Sequence, residues 1–213
     1  MKKVLIVIML ACISGLLMPD GSEAGWLIYR KPEFKGKVID AGTKEPVQGA
    51  VVVVMYYSSP ILSGPGGGSP YIIHVKETLT DENGSFRIPA YMTLIQPNSV
   101  SHIADFIIYK PGYGRFPSSK VSPDVHFVDP EEYFSKPLGT KGEMQWESGS
   151  QSKAIPVTYG IVELPMLETK DERLGTIPGR PSELSPENIP LLYKAINEER
   201  QRFGLGPVGR VEP

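Results

Sequence analysis

The chain of 213 residues carries 22 Lys and Arg against 24 Asp and Glu, a formal net charge of −2, and 40% of its residues are hydrophobic. These values are typical of a globular domain with a core, and they exclude the basic field on which nucleic-acid binding depends. The 22 glycines and 21 prolines argue against a long helical bundle and favour a β-rich, loop-rich fold.

The N-terminus has the layout of a secretory signal peptide. Lys2 and Lys3 precede an almost unbroken apolar run from Val4 to Met18, and small residues lead up to Ala24. The alternative is a transmembrane anchor, but the run of 15 residues is shorter than the ~20 that span a bilayer. We therefore predict that residues 1–24 are removed and that the mature protein, without a membrane span, is exported to the periplasm or cell surface.

Cys12 is the single cysteine of the chain. An alternative hypothesis is that a lipid is attached to Cys12, which would make the protein a lipoprotein. A lipidation cysteine usually opens a polar tether, whereas Cys12 lies in the middle of the apolar run, so we favour cleavage after Ala24. The mature chain then has no cysteine, which leaves it without a disulfide, a thiolate metal site or a thiol nucleophile.

Segments with strand patterns follow in order along the chain: Glu33–Asp40, Gly49–Tyr57, Tyr71–Thr80, Ser85–Pro89, Ile103–Tyr109 and Ala154–Leu164. The second is a continuous β-branched and aromatic run, which predicts a strand buried on both faces. In the third, the odd-numbered apolar residues share one face and His74 lies on the other. We expect Ser85–Pro89 to return as the hairpin partner of that third strand.

The remaining segments are loops and a helical tail. Residues 58–70 are predicted to form a flexible loop, and residues 115–153 a long excursion that holds one or two short elements. Thr169 begins a capping-box spacing that predicts a short helix. Ser185–Arg202 is the best helix, with its regular part starting near Ile189 and Gly204 as its stop; we expect it to pack on the sheet.

The order of four patches carries a family resemblance. They are GKVID at 36–40, EPVQGAVVV at 45–53, TDENGSF at 80–86 and KPGY at 110–113. This set, over roughly residues 33 to 114, resembles the carboxypeptidase regulatory-like domain. The resemblance implies an all-β fold, a transthyretin-like (Ig-like) antiparallel β-sandwich of about seven strands, and a non-catalytic module on exported or surface proteins.

The resulting division of the chain is a signal peptide at 1–24, the β-sandwich at 25–165 and a C-terminal α-helical tail at 166–213. The chain departs from the compact size of the family through its two loop excursions and this tail. It also lacks, at its C-terminus, the Tyr-Arg-Gly-Ser type signature of the hydroxyisourate hydrolases, an enzyme line within the transthyretin-like folds.

His74 and Glu77 match the HxxE zinc pair of metallocarboxypeptidases. On a strand, positions i and i+3 point to opposite faces, so we expect the two side chains to diverge and His74 to be a solvated histidine. Glu77 has two readings: a strand-end carboxylate that reaches water or an Arg or Lys, or a buried carboxylate with a raised pKa in a ligand pocket. We favour the first.

Two further stretches resemble ligand sites only in part. The glycine-rich stretch 64–69 lacks the Lys and Ser/Thr of a phosphate loop, although such a loop is a candidate contact region. Asp81–Gly84 could begin a calcium loop, but position 12 of such a loop is Met92, which cannot supply the bidentate ligand. A turn remains, in which Asp81 bonds the backbone and Gly84 takes a positive φ.

We therefore expect no enzyme activity, no catalytic, cofactor-binding or metal-binding residues and no cofactor. The predicted function is that of an exported non-catalytic β-sandwich module with a binding or scaffolding role in the bacterial cell envelope. Its expected partner is an envelope protein or a small ligand. The alternative is a small envelope hydrolase or ligand-binding protein that uses carboxylates near Glu77.

Overall fold

The structure, a computed structural model, describes residues 28–61, 69–95, 99–117, 129–148, 151–179 and 184–209. Strands are the most frequent secondary structure among these residues: β1 (Ile28–Lys31), β2 (Phe34–Asp40), β3 (Val51–Pro60), β4 (Tyr71–Leu79), β5 (Ser85–Ile88), β6 (Tyr91–Leu94), β7 (Ser99–Ser101), β8 (Asp105–Tyr109), β9 (Arg115–Phe116), β10 (Lys141–Ser148), β11 (Gln151–Thr158) and β12 (Ile161–Leu164). The helices in the same part of the chain are α1 (Pro130–Ser135), α2 (Lys170–Gly175) and α3 (Pro190–Arg202).

The strands are arranged in several sheets, and the pairs within them are antiparallel with one exception. The largest sheet has the order β4-β3-β8-β9, and β7 pairs with the far end of β3. A second sheet has the order β12-β2-β5, in which β12 and β2 run parallel. β1 with β6 and β10 with β11 form separate two-stranded ribbons. The predicted mostly-β fold class is confirmed, whereas the predicted count of about seven strands is not, since twelve strands lie in the described residues.

β3 is the centre of the core, and it is buried on both faces as predicted. Val52, Val54 and Tyr56 face a cluster that also contains side chains of β2, β5, β8, β12 and α1. The alternate residues Val51 and Val53 face a second cluster formed with α3. Full burial of an aliphatic or aromatic side chain stabilises a fold by about 1.5–3 kcal/mol. Because β3 buries side chains on both faces, its packing stabilises the attachment of both the second sheet and the helix.

The predicted hairpin between the third and fourth strand segments is wrong. β4 pairs with β3, whereas β5 pairs with β2 in the other sheet. The turn itself forms as predicted: Asp81 Oδ1 accepts from the backbone N–H groups of Asn83 (2.9 Å) and Ser85 (2.8 Å), and Gly84 has φ +72°. The chain therefore turns from one sheet into the other at this point, and Phe86 is then buried between them.

The last predicted strand is also two strands rather than one. β11 and β12 are separated at Tyr159–Gly160, where Gly160 has φ +75°. β10 and the first three residues of β11 lie in the predicted excursion 115–153, whereas the rest of β11 and all of β12 lie in the predicted last strand. β3 likewise continues through Pro60, into the predicted loop 58–70, of which residues 62–68 lie outside the described part.

The helical tail forms where it was predicted. α2 begins with a capping box between Thr169 and Glu172. α3 begins after Ile189 and ends in a Schellman motif, in which Gly204 N donates to Gln201 O (3.0 Å) and Leu205 N donates to Arg200 O (3.0 Å). Gly204 has the positive φ of +71° that this motif requires. The helix packs on β3 and β4, as expected.

Candidate functional site

β4 carries the residues that the sequence singled out, and it places them on opposite faces. A β-bulge shifts the pairing with β3 between Tyr56 and Tyr57, opposite His74 and Ile72. As a result Ile73 packs against the first core cluster, while Ile72 and Val75 pack against the second. The predicted alternation, with Ile73 and Val75 on one face, is therefore wrong at the bulge, because an extra residue reverses the faces on either side of it.

Glu77 points to the helix side of the sheet and closes the N-terminus of α3. Its Oε1 accepts from Leu191 N (2.6 Å) and its Oε2 accepts from Leu192 N (3.1 Å). Ile189, the N-cap residue, makes no side-chain cap of its own. Burial raises the pKa of Glu77, and the two backbone donors act in the opposite direction. The carboxylate thus supplies the cap and the negative charge that a helix N-terminus favours.

This contact predicts the effect of removing the carboxylate. Glu77→Ala leaves two half-buried N–H groups of α3 without their partner, and we expect the free energy of unfolding to fall by about 1–2 kcal/mol, the usual cost of losing an N-cap. Chemical denaturation measures this loss. Glu187→Ala, at an exposed position just before α3, is the control and should change stability by less than about 0.5 kcal/mol. Equal effects of the two substitutions would contradict the capping role.

His74 points to the other face of the sheet, away from Glu77, as expected from the strand period. Its ring stacks on Tyr91 with a centroid distance of 4.4 Å and an interplanar angle of 14°, and on Tyr56 at 5.9 Å. Lys76 Nζ lies 5.3 Å from the centroid of Tyr91. Burial, with a smaller contribution from Lys76, lowers the pKa of His74 and so favours the neutral imidazole. The predicted solvated histidine is thus a partly buried member of an aromatic stack.

A groove runs along the first half of β4. Its volume is about 510 Å³, and its lining residues are Tyr71, Ile72, Ile73, His74, Val75, Leu184, Glu187 and Asn188. One wall is therefore the strand and the other is the segment that leads into α3. The lining combines apolar, aromatic and polar side chains, which is the composition expected of a contact surface rather than of a closed core.

β4 is an edge strand among the described strands, since β3 is its sheet neighbour. Thr80 N donates to Ala50 O at 2.9 Å, and this bond shows which residues of β4 direct their main-chain groups toward β3. Main-chain groups alternate in direction along an antiparallel strand, so those of Val75, Glu77 and Leu79 point away from β3. Leu79 is also 47% exposed. This strand edge and the groove beside it, which we call the β4 site, form the candidate functional site.

A second cavity, of about 300 Å³, lies toward the opposite edge of the large sheet, beside β8 and β9. Its lining is mostly apolar, and it includes Asp105 of β8 and Arg115 of β9. Arg115 Nη1 donates to Ile177 O at 3.2 Å, so the guanidinium also fastens the tail to this sheet. Neither residue could be identified from the sequence, because a lone Asp at a strand start and a lone Arg after a turn carry no motif.

Two ion pairs could also not be predicted from the sequence. Lys31 Nζ binds Glu131 Oε2 at 2.6 Å, and this oxygen also accepts from Ala104 N at 3.1 Å. Arg173 binds Glu199 through two parallel hydrogen bonds of 2.7 Å. The partners of each pair lie far apart in the chain, so the sequence contains no local signal for them.

Of the two histidines other than His74, the structure describes His102, which does not join the β4 site. His102 is exposed, and its backbone N–H donates to Tyr57 O at 3.1 Å. His126, Cys12, residues 1–24 and most of the glycine-rich stretch 64–69 lie outside the described residues. Within the described part of the chain, no group of three or more His, Cys, Asp or Glu side chains is arranged to hold a metal ion.

Comparison of the chain with protein-family models, with curated proteins and with solved structures found no match. In the residues that the structure describes, no helix combines the length and the apolar character that crossing a membrane requires.

Proposed function

We propose that this chain is an exported, non-catalytic β-sandwich module, of the carboxypeptidase regulatory-like type, that binds a protein partner in the bacterial cell envelope. The observation that supports the proposal most is the β4 site: a nine-residue edge strand with a groove of about 510 Å³ beside it. Exposed strand edges bind extended segments of other proteins by adding a strand, with main-chain hydrogen bonds for affinity and side-chain pockets for specificity.

The signal-peptide pattern at residues 1–24 supports the envelope location. The four sequence patches from residue 36 to residue 113 support the family, and the burial of β3 between a second sheet and a helix agrees with a sandwich that carries a packed tail. The role of Glu77 also fits a binding module, because both of its oxygens are engaged in holding α3.

Site-specific photo-crosslinking in the native envelope tests the proposal. A photoreactive amino acid at Leu79 of β4 should capture a partner, whereas the same group at Leu138, which is equally exposed at 46%, should not. Leu79→Pro should abolish capture by the crosslinker placed at Val75, since it removes an outward N–H group and leaves the β3 ladder intact. Capture of the same proteins from positions 79 and 138, or no capture from position 79, would overturn the proposal.

The second candidate function is that of a small-ligand-binding protein or a hydrolase. The observation that favours it is the cavity beside Asp105 and Arg115, which is a better candidate for the ligand site than Glu77 is. A carboxylate and a guanidinium in a mostly apolar cavity are the few polar groups that orient a small ligand. If this candidate is correct, Asp105→Asn and Arg115→Met abolish ligand binding while photo-crosslinking from Leu79 captures no protein.

A further inference from the structure

The edge of β4 carries a lysine whose described contacts are with uncharged groups. Lys76 is half-buried, and its Nζ donates to Pro89 O at 3.3 Å and lies 5.3 Å from the centroid of the Tyr91 ring. In the part of the chain that the structure describes, the ion pairs involve other cationic side chains. Lys76 therefore presents its positive charge to a strand that pairs with this edge.

The carboxylates of the described residues around β4 are engaged elsewhere or face another way. Glu77 points to the helix side, where its two oxygens accept from the backbone of α3. Glu187 lines the groove from the segment before α3, also on the helix side. Glu33, which precedes β2, binds both Lys35 and Arg87. On the face of β4 that carries the lysine, the charge beside the strand is therefore positive.

A second copy of β4 is a poor partner for this edge. Residues directly opposite each other share a face, and like charges in that position are destabilising. Two copies paired about Lys76 or about Glu77 place two lysines or two glutamates opposite each other. Two copies paired about Val75 would have to continue through the β-bulge, and pairing about Thr78 joins only the ends of the strands. The charges and the bulge thus favour a different chain as the added strand.

The two faces of β4 indicate the pattern of that chain. A residue opposite Lys76 faces the positive charge, and its neighbours face the helix side because successive side chains alternate. There Ile72, Val75 and the buried Leu184 line the groove, so the residue opposite Val75 meets an apolar surface. Leu79 is on this face as well and is 47% exposed, which adds a second apolar position.

We propose that the partner segment at the β4 site is an extended strand of another protein, with apolar side chains toward the groove and a carboxylate opposite Lys76. Lys76 determines the specificity, because it attracts that carboxylate and repels the lysine of a second copy. Past the end of β4 the turn carries Asp81 and Glu82, so the preference for a carboxylate is confined to the position opposite Lys76. This inference rests on the proposed function, since it requires strand addition at β4.

Two end-blocked peptides as long as β4, nine residues, test the preference on the full chain. Both alternate threonine with valine, and the central threonine is replaced by glutamate in one and by lysine in the other. We expect the glutamate peptide to bind about fivefold more tightly, the combined effect of a favourable and an unfavourable cross-strand pair. Its binding should slow amide exchange at Val75, Glu77 and Leu79.

Charge reversal tests whether Lys76 is responsible. Lys76→Glu should reverse the order of the two peptides, and Lys76→Gln should abolish the difference between them. Lys194→Glu makes the same change in net charge at an exposed position of α3 and should leave the order unchanged.

The outcomes separate this inference from the proposed function. If both peptides slow exchange at the three positions and bind equally well, the charge preference is wrong and strand addition at β4 stands. Equal effects of Lys76→Glu and Lys194→Glu on the preference would also overturn the role of Lys76. If neither peptide slows exchange along β4, both the inference and the proposed strand addition fail.

Discussion

Replacing Gly84 with valine is expected to lower the free energy of unfolding by about 3–5 kcal/mol, the sum of a backbone strain and an overpacking cost. Gly84 has φ +72°, which β-branched residues resist. A Cβ at this position would also lie 2.3 Å from Val38 O and 3.2 Å from Pro46 Cβ. The close approach is structurally important, because Gly84 O accepts from Val38 N at 2.8 Å and this bond attaches the turn to β2.

Gly139→Val is the matched control. Gly139 has a similar φ of +78°, but a Cβ there would meet no atom within 4 Å. It therefore carries the backbone strain alone, and we expect a loss of about 1–2 kcal/mol. Urea denaturation of both variants measures the difference. If the two losses were equal, the packing of the turn against β2 would have no energetic role.

Glu199→Ala is expected to lower the free energy of unfolding by about 3 kcal/mol, because it breaks a buried ion pair and leaves its partner behind. The Glu199 side chain is 1% exposed, and its carboxylate binds Arg173 through two hydrogen bonds of 2.7 Å. Its Oε1 also accepts from Gly112 N at 3.3 Å. The single side chain thus joins α3, α2 and the turn after β8.

Glu198→Ala controls for the helix itself. Glu198 is adjacent in sequence, its side chain is 52% exposed, and it pairs with Arg202 on the same helix. Exposed pairs of this kind contribute about 0.3–0.5 kcal/mol, so this variant should remain close to the parent. Arg173→Ala combined with Glu199→Ala should cost less than the sum of the single substitutions. Strict additivity in this cycle would show that the two residues do not act together.

The carboxylates of Glu77 and Glu199 hold α3 near its two ends, and they belong to different elements. Glu77 reaches from β4 to the N-terminus of α3, and Glu199 reaches from the last turns of α3 to Arg173 and Gly112. Between them, the apolar face of α3 covers Val51, Val53 and Tyr109 of the large sheet. The tail is therefore part of the folded core rather than an appendage to it.

Local patterns of the sequence predicted the elements that local chemistry decides. The β-branched run identified β3 and its burial on both faces, Asp81 and Gly84 identified the turn, and Gly204 identified the end of α3. The divergence of His74 and Glu77 also followed from the period of a strand. In each case the residues that determine the structure are neighbours in the chain.

Long-range pairing could not be predicted in the same way. Period two shows which residues of a strand face inward, but it does not show which strand lies beside it, so β5 was assigned to β4 instead of β2. The parallel pairing of β12 with β2 has no sequence signal of its own. The cap on α3 joins residues 114 positions apart, so an isolated glutamate on a strand gave no indication of it.

Amide hydrogen exchange along β4 tests the central claim, that the edge of this strand binds a partner, most directly. In the free protein, the N–H groups of Val75, Glu77 and Leu79 should exchange faster than that of Thr80, which donates to Ala50. With the crosslinking partner bound, we predict that exchange at these three positions slows by at least about tenfold, as expected for newly formed strand pairing. Unchanged exchange at all three positions in the bound state would contradict the account.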